Sequence, residues 1–235
     1  MVGQIRAADV DYNAWQQNFY RTQDIGQFEG YWNMVVSQRL LEKKNALPPI
    51  EGFVSQVLHR YPSMIRGRFD NLSEYPEDQR EIIQRILWLS DTKEARSIGA
   101  YAGNAPPGIA GWKIQTGGDL DFCWGWFFAT GDTAALDAII SALDLGKDAG
   151  ALKKFPTSAQ TDADRQAAMN DAIFEAAMWS LTSIGRTNHD VAKHIAIVFF
   201  SEKTPKDRKI FLGPLFVKTS SDIPRQELQD DQAGR

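Results

Sequence analysis

Apolar residues recur at three- and four-residue intervals along most of the chain, and this spacing predicts amphipathic α-helices. The clearest case is LPPIEGFVSQVLHRYP, where Phe53, Val57 and Tyr61 line one face. Two prolines suit the first turn of this helix, and Pro62 ends it because it restricts Tyr61 to non-helical conformations. A second stripe follows at Ile82, Ile83, Ile86 and Leu87.

The stretch FFATGDTAALDAII contains a turn between two helices. Asp119 or Asp121 can start the first helix, and Gly131 can adopt the left-handed conformation that ends it. Asp132 can then cap the second helix, which predicts an antiparallel helical hairpin. The first helix has the body FCWGWFFA, which is apolar on all sides, so we expect it to lie inside the protein.

Capping residues also bound the helices nearer the end of the sequence. Thr161 with Asp164 is typical of a capping box before a long helix, and Gly185 ends that helix. Thr187 or Asn188 can cap the next helix. The segment IFLGPLFVK is then predicted to be a short apolar docking segment, and residues 218–235 a polar tail.

Two of the turns are similar in sequence. WLSDTKEA and FFATGDTAA share an apolar helix end, Asp-Thr and alanine, and Asp91 and Asp132 are 41 residues apart. HEAT-type arrays repeat every 40–47 residues or so, although shared turn chemistry would produce the same letters. We therefore predict an all-α single domain over residues 1–217, built from stacked antiparallel helical hairpins in a degenerate TPR- or HEAT-like array.

Composition limits the possible partners. The chain has 235 residues, 43% of them hydrophobic, and its 26 basic and 30 acidic residues are mixed along its length for a net charge of -4. Such a balance argues against binding to nucleic acid or to a membrane. No stretch resembles a signal peptide or a transmembrane helix, so we expect a soluble, cytoplasmic protein. The single cysteine, Cys123, lies in an apolar run and is interpreted as a buried small hydrophobe.

Histidines offer the main indication of catalysis. His189 and Asp190 resemble the His-Asp pair of HD-type metal-dependent phosphohydrolases, which gives an alternative function in which these two residues hold a metal. The spacing is unfavourable, because His59 lies 130 residues upstream and His194 faces another side of a helix. An aspartate at a helix start explains the same letters, so we expect no metal and no catalytic residue.

A loop over residues 103–118, GNAPPGIAGWKIQTGG, has almost no helical or strand pattern. Loops of this length inside a compact domain are often functional, and tryptophan is enriched among binding hot spots. We therefore predict a partner-binding surface formed by Ile109, Trp112 and Lys113. The alternative is that Ile109, Trp112 and Ile114 attach the loop to the neighbouring helices.

The segments PPIEGFVSQVL, ILWLSDTKEA, DLDFCWGWFFATGD and AAMWSLTSI together resemble a group of bacterial all-helical proteins built from helical hairpins, over about residues 45–200. No function is assigned to that group, so the resemblance implies a helical fold and no activity. We expect a non-catalytic domain for protein–protein interaction, scaffold- or adaptor-like, that uses no cofactor and whose partner is another protein. A further alternative is the binding of a small apolar ligand near Trp124 and Trp126.

Overall fold

The computed structural model describes residues 10–98, 104–151, 161–220 and 223. These ranges contain ten α-helices and no β-strand, which confirms the all-α prediction. None of the helices is long and apolar enough to cross a membrane. The helices are α1 (Tyr12–Thr22), α2 (Phe28–Ser37), α3 (Leu47–Arg60), α4 (Glu77–Ser90), α5 (Lys93–Ser97), α6 (Gly117–Thr130), α7 (Thr133–Ser141), α8 (Asp162–Gly185), α9 (His189–Phe200) and α10 (Lys206–Thr219).

The chain forms two compact units, each assembled from two separate stretches. The first unit comprises Met1–Gly108 and Asp121–Asp132, and the second comprises Ile109–Leu120 and Thr133–Arg235. Helices α1 to α5 belong to the first unit and α7 to α10 to the second, whereas α6 contributes its first turn to the second unit and its remainder to the first. The single domain over residues 1–217 stays a prediction.

Aromatic side chains build the core of the first unit. The Phe53 ring on α3 lies between the rings of Trp15, Phe19 and Tyr31, with centroids 5.4, 5.4 and 5.5 Å away. All four side chains are buried. Edge-to-face ring pairs of this kind contribute about 0.5–1.5 kcal/mol each beyond the area they bury. The aromatic residues that are frequent in the first segments of the sequence therefore pack against α3.

Helix α3 begins and ends where its prolines predict, but it is not amphipathic along its middle. Every residue from Ile50 to Leu58 is buried, including Glu51, Ser55 and Gln56. The Ser55 hydroxyl donates to the carbonyl of Gly52 at 3.2 Å, and Glu51 pairs with Arg85 of α4 at 3.2 Å. These partners make burial of the two polar side chains tolerable.

The two similar turns have similar backbones. Asp91 (φ 47°) and Gly131 (φ 72°) are both left-handed, each follows the last residue of a helix, and the next helix starts two residues later. Thr92 caps α5 by accepting from the Ala95 N–H at 3.1 Å. Asp91 is therefore equivalent to Gly131, and Thr92 to Asp132, so the two aspartates do not occupy matching positions.

The second unit contains the long helix α8, which begins at the predicted capping box. Thr161 Oγ1 accepts from the Asp164 N–H, and Asp164 Oδ2 accepts from the Thr161 N–H, both at 3.1 Å. The helix ends at Gly185 as expected. Asn188 caps α9 by accepting from the Asp190 N–H at 3.1 Å.

The segment IFLGPLFVK lies within helix α10, which also includes the first residues of the predicted polar tail. The helix packs against α8 and α9 and buries Leu212 and Leu215. The Ser220 hydroxyl at its end donates to the Ala192 carbonyl of α9 at 2.6 Å. Pro214 lies inside this helix, and residues 221, 222 and 224–235 of the predicted tail are outside the described residues.

Candidate functional site

The predicted partner-binding residues lie in the loop before α6. Ile109 opens a 3-10 turn, Ile109–Gly111, that packs against α7 and leaves Ile109 only 4% exposed. Trp112 is half-buried and Lys113 is exposed. Lys113 and part of the Trp112 ring are therefore accessible, whereas Ile109 lies beneath the surface. The start of the predicted loop, at Gly103, lies outside the described residues.

Asp119 fixes the second half of this loop. Its Oδ1 atom accepts from Trp112 Nε1 at 3.3 Å. Its Oδ2 atom accepts from the N–H groups of Gln115 and Thr116 at 3.0 and 2.8 Å, and from the Thr116 hydroxyl at 2.9 Å. Thr116 Oγ1 in turn accepts from the Asp119 N–H at 3.3 Å. Helix α6 therefore begins at Gly117, earlier than predicted, and Asp119 lies within its first turn. One carboxylate thus holds both the helix start and the Trp112 ring.

A surface groove of about 650 Å³, which we call the loop groove, adjoins this loop. Three of its residues are apolar: Ile173 is buried, Ile114 is half-buried and Met169 is 46% exposed. It is lined by Ile114, Gln115 and Thr116 from the loop and by Asp162, Arg165, Gln166, Met169, Asn170 and Ile173 from α8. All of these residues belong to the second unit.

The edge of the loop groove is polar. Arg165 Nη1 lies 3.1 Å from Asp162 Oδ1, and these side chains are 66% and 96% exposed. The Gln166 side-chain amide donates to Asn170 Oδ1 at 2.9 Å. An exposed ion pair contributes little to stability, so Arg165 and Asp162 can exchange their mutual contact for contacts to another molecule at small cost.

The two residues of the hydrolase alternative begin helix α9. His189 is exposed, and Asp190 is half-buried with its N–H bonded to the capping Asn188. In the ranges that the structure describes, no three His, Cys, Asp or Glu side chains are grouped so that they could hold a metal ion.

His194 contacts an aspartate that the sequence reasoning missed. Its Nε2 atom lies 2.7 Å from Asp137 Oδ1 on α7, while the side chain is only 2% exposed. The second ring nitrogen, Nδ1, is buried without a hydrogen-bond partner among the described residues. Nε2 is therefore engaged by Asp137 and Nδ1 is buried away from solvent, so the imidazole positions Asp137, whose side chain is 59% exposed.

A cavity of about 820 Å³ lies beside this pair and is bordered by the turn between α9 and α10. Arg208 lines it, but the guanidinium is already held by two hydrogen bonds to Asp144. Asp144 raises the pKa of Arg208 through this hydrogen bonding, and the cation stays paired. Two carboxylates that line the cavity are accessible, those of Asp137 and Glu202, and its lysine, Lys203, is exposed.

Several large apolar side chains on α8 and α10 are exposed, although the sequence pattern does not indicate their exposure. Trp179 on α8 is 73% exposed. Ile210 and Val217 on α10 are 68% and 66% exposed. By contrast, Trp124 is buried and stacks on Phe128 with ring centroids 5.8 Å apart, so it belongs to the core of the first unit.

A comparison with protein-family models, curated proteins and solved structures found no match for this chain. Function is therefore inferred from the geometry of the chain itself. Of the two concave sites described above, the loop groove offers accessible apolar surface, and the loop that lines it also carries Trp112, whose ring is hydrogen-bonded to Asp119.

Proposed function

We propose that the chain is a non-catalytic helical domain that binds another protein, as scaffold and adaptor domains do. The partner contacts Trp112, Lys113 and the loop groove, and Ile109 supports the loop from beneath. The observation that carries this proposal is the apolar surface of Ile114, Met169 and Ile173 within the loop groove, surrounded by polar side chains. An apolar centre with a polar rim is the usual organisation of a protein–protein interface.

The Trp112 ring favours binding because it is already held in place. Association costs about 0.5–1.5 kcal/mol for each flexible side chain that becomes immobilised. The bond from Trp112 Nε1 to Asp119 reduces that cost, since Asp119 is itself fixed by three hydrogen bonds from Gln115 and Thr116. Met169 adds an adaptable apolar side chain at the same surface.

The proposal includes the stacked-hairpin architecture, a degenerate TPR- or HEAT-like array. Two features support it: the shared left-handed turns at Asp91 and Gly131, and the packing of consecutive helices α3 with α4 and α9 with α10. Arrays of this kind act through their surfaces and need no catalytic residues.

The test is to compare Trp112→Ala with wild type in partner capture. A photo-crosslinking amino acid at Lys113 first identifies the partner, and the same group at the exposed Lys44 of the first unit is the control. We expect one protein to be crosslinked from Lys113 and not from Lys44. Calorimetric titration should then show Trp112→Ala weakening the complex by about 2 kcal/mol or more, the usual hot-spot scale.

Trp179→Ala is the matched control, because it removes a more exposed tryptophan from α8. Partner affinity lost with Trp179→Ala and kept with Trp112→Ala would assign the binding surface to the part of α8 around Trp179, outside the loop groove, and would contradict the proposal. If Trp112→Ala instead lowers the unfolding free energy by about 3–5 kcal/mol, as loss of a core tryptophan does, then Trp112 attaches the loop and is not a contact residue.

A further inference from the structure

The outward side of α10 carries an apolar surface that the helix does not use for its own packing. Ile210 and Val217 are two turns apart on one side of the helix and are 68% and 66% exposed. Pro214 lies between them and is exposed. At the end of α9, Phe200 is 42% exposed and its ring centroid is 5.2 Å from that of Phe216. We call the surface of Ile210, Pro214, Val217 and Phe200 the α10 face.

The opposite side of α10 holds the helix in place. Leu212 and Leu215 are fully buried, and Arg208 is hydrogen-bonded to Asp144. The Ser220 hydroxyl fixes the end of the helix to α9. The α10 face is therefore not required for folding, and its apolar side chains remain in contact with water at a cost in free energy.

The α10 face is bordered by positive charge. Lys206, Lys209 and Lys218 lie along the helix, and Asp207 is its only acidic residue. Across the described parts of the chain, none of the three lysines is paired with an acid. A basic helix is a local exception in a chain whose net charge is -4.

We propose that the α10 face binds an amphipathic helix of a partner protein in which an apolar stripe is flanked by aspartate and glutamate. Two helices bury their apolar sides against each other in this recognition mode, and complementary charges at the edges set the specificity. The proposal concerns a different surface from the loop groove and does not depend on it.

The lysines of α10 favour an acidic helix over two other partners, a second copy of the chain and a membrane surface. A second copy of the chain, docked through the same face, would place lysines opposite lysines, which opposes association. Membrane-binding segments carry clusters of about 4–8 basic residues, whereas α10 offers three unpaired lysines on an acidic protein. An acidic helix satisfies both the apolar stripe and the lysines.

The experiment uses two labelled synthetic helices of about 18 residues, roughly five turns, with the same leucine stripe. One helix is flanked by glutamate and the other by lysine. Fluorescence anisotropy titration with the full chain should show tighter binding of the glutamate-flanked helix. The double variant Ile210→Ser, Val217→Ser should weaken that binding about tenfold while the melting temperature stays unchanged, because both side chains are exposed.

Charge reversal gives the second readout. The triple variant Lys206→Glu, Lys209→Glu, Lys218→Glu should invert the preference, so that the lysine-flanked helix binds more tightly. A triple variant of three exposed lysines of the first unit serves as its control and should leave the preference unchanged: Lys43→Glu, Lys44→Glu and Lys93→Glu. Trp112→Ala should also leave it unchanged, which separates this surface from the loop groove.

Three results would overturn the proposal. The first is equal binding of the two synthetic helices. The second is a dimer in sedimentation that Ile210→Ser abolishes, which would assign the α10 face to a second copy. The third is binding to phosphatidylserine vesicles, stronger than to the glutamate-flanked helix, that the Lys206, Lys209 and Lys218 reversals remove.

Discussion

Gly52 of α3 lies directly against the backbone carbonyl of Phe122 in α6, so that a Cβ at Gly52 would overlap the carbonyl oxygen. The contact is reciprocal, because a Cβ at Gly125 would overlap the carbonyl oxygen of Pro49. Two helix backbones approach this closely only where side chains are absent. The glycine inside FCWGW therefore marks a helix crossing.

This crossing predicts a reversal of the usual effect of alanine in helices. In an ordinary helix interior, alanine is more stable than glycine by about 1 kcal/mol. We expect Gly52→Ala and Gly125→Ala instead to lower the unfolding free energy by about 1–3 kcal/mol or more, because the backbones must separate. Denaturant unfolding measures the change. Gly117→Ala is the control at the start of α6, where a Cβ meets no atom within 4 Å, and a loss as large there would contradict the explanation.

The turn after α6 gives a second prediction. Gly131 has φ 72°, and a Cβ there would lie 2.9 Å from Cδ2 of Tyr20, whereas Gly67 has φ 86° and open space around it. Gly67→Ala should cost about 1–2 kcal/mol for the left-handed backbone alone. Gly131→Ala should cost more in thermal unfolding, because the tyrosine ring must also move. Equal losses at the two glycines would show that Tyr20 does not approach the turn.

Buried Glu51 makes stability depend on pH. Burial raises the pKa of Glu51, and the nearby Arg85 opposes that rise without cancelling it. A folded-state pKa above the unfolded one means that the folded protein binds the proton more tightly. The proton on Glu51 therefore stabilises the folded protein fully at pH values below the pKa of Glu51 in the unfolded state. This stabilisation is lost as the pH rises through the pKa of Glu51 in the folded state.

Glu51→Gln removes this titration. The unfolding free energy of the variant relative to wild type should therefore increase as pH rises from about 4 to 7, measured by urea unfolding at each pH. Glu81→Gln, at an exposed position of α4, is the control for removal of one negative charge. Arg85→Gln should move the wild-type transition to higher pH, since the group that lowers the Glu51 pKa is gone. A constant difference between Glu51→Gln and wild type would contradict the assignment.

The two histidines of α9 separate the binding and hydrolase hypotheses. We expect elemental analysis of the purified protein to find no stoichiometric divalent metal, and His189→Ala to leave stability nearly unchanged because His189 is exposed. His194→Ala should lower the unfolding free energy by about 1–3 kcal/mol, since it removes a buried ring and its bond to Asp137. A bound metal that disappears with His189→Ala, together with phosphohydrolase activity, would favour the hydrolase.

Local features of the fold were predictable because the interactions that produce them span only a few residues. The capping box of Thr161 and Asp164 and the left-handed Gly131 follow this rule. Helix α10 does not, because Pro214 interrupts the helical signal and the helix is stabilised by contacts of Leu212 and Leu215 with distant segments. The exposure of Trp179 likewise depends on which distant segments pack against α8, and the sequence pattern does not show this.

The candidate site was predictable only in part. The loop composition indicated Trp112, but it did not indicate the bond of Trp112 to Asp119, and the loop groove depends on how the loop meets α8. The pairing of Asp137 with His194 joins residues 57 positions apart and leaves no local pattern. Sequence periodicity shows which side of a helix is apolar, and it does not show which distant helix that side will meet.

The shared helix α6 has a consequence for synthesis on the ribosome. Residues 1–108 emerge before the segment Asp121–Asp132 that completes their unit. During that time Gly52 lacks its contact with Phe122, and Tyr20 lacks its contact with Phe127. Until the nascent chain has passed residue 132, part of the aromatic core has no covering helix. The early chain therefore exposes apolar surface that is covered later, and a stop codon near residue 108 would release an incomplete unit instead of an independent one.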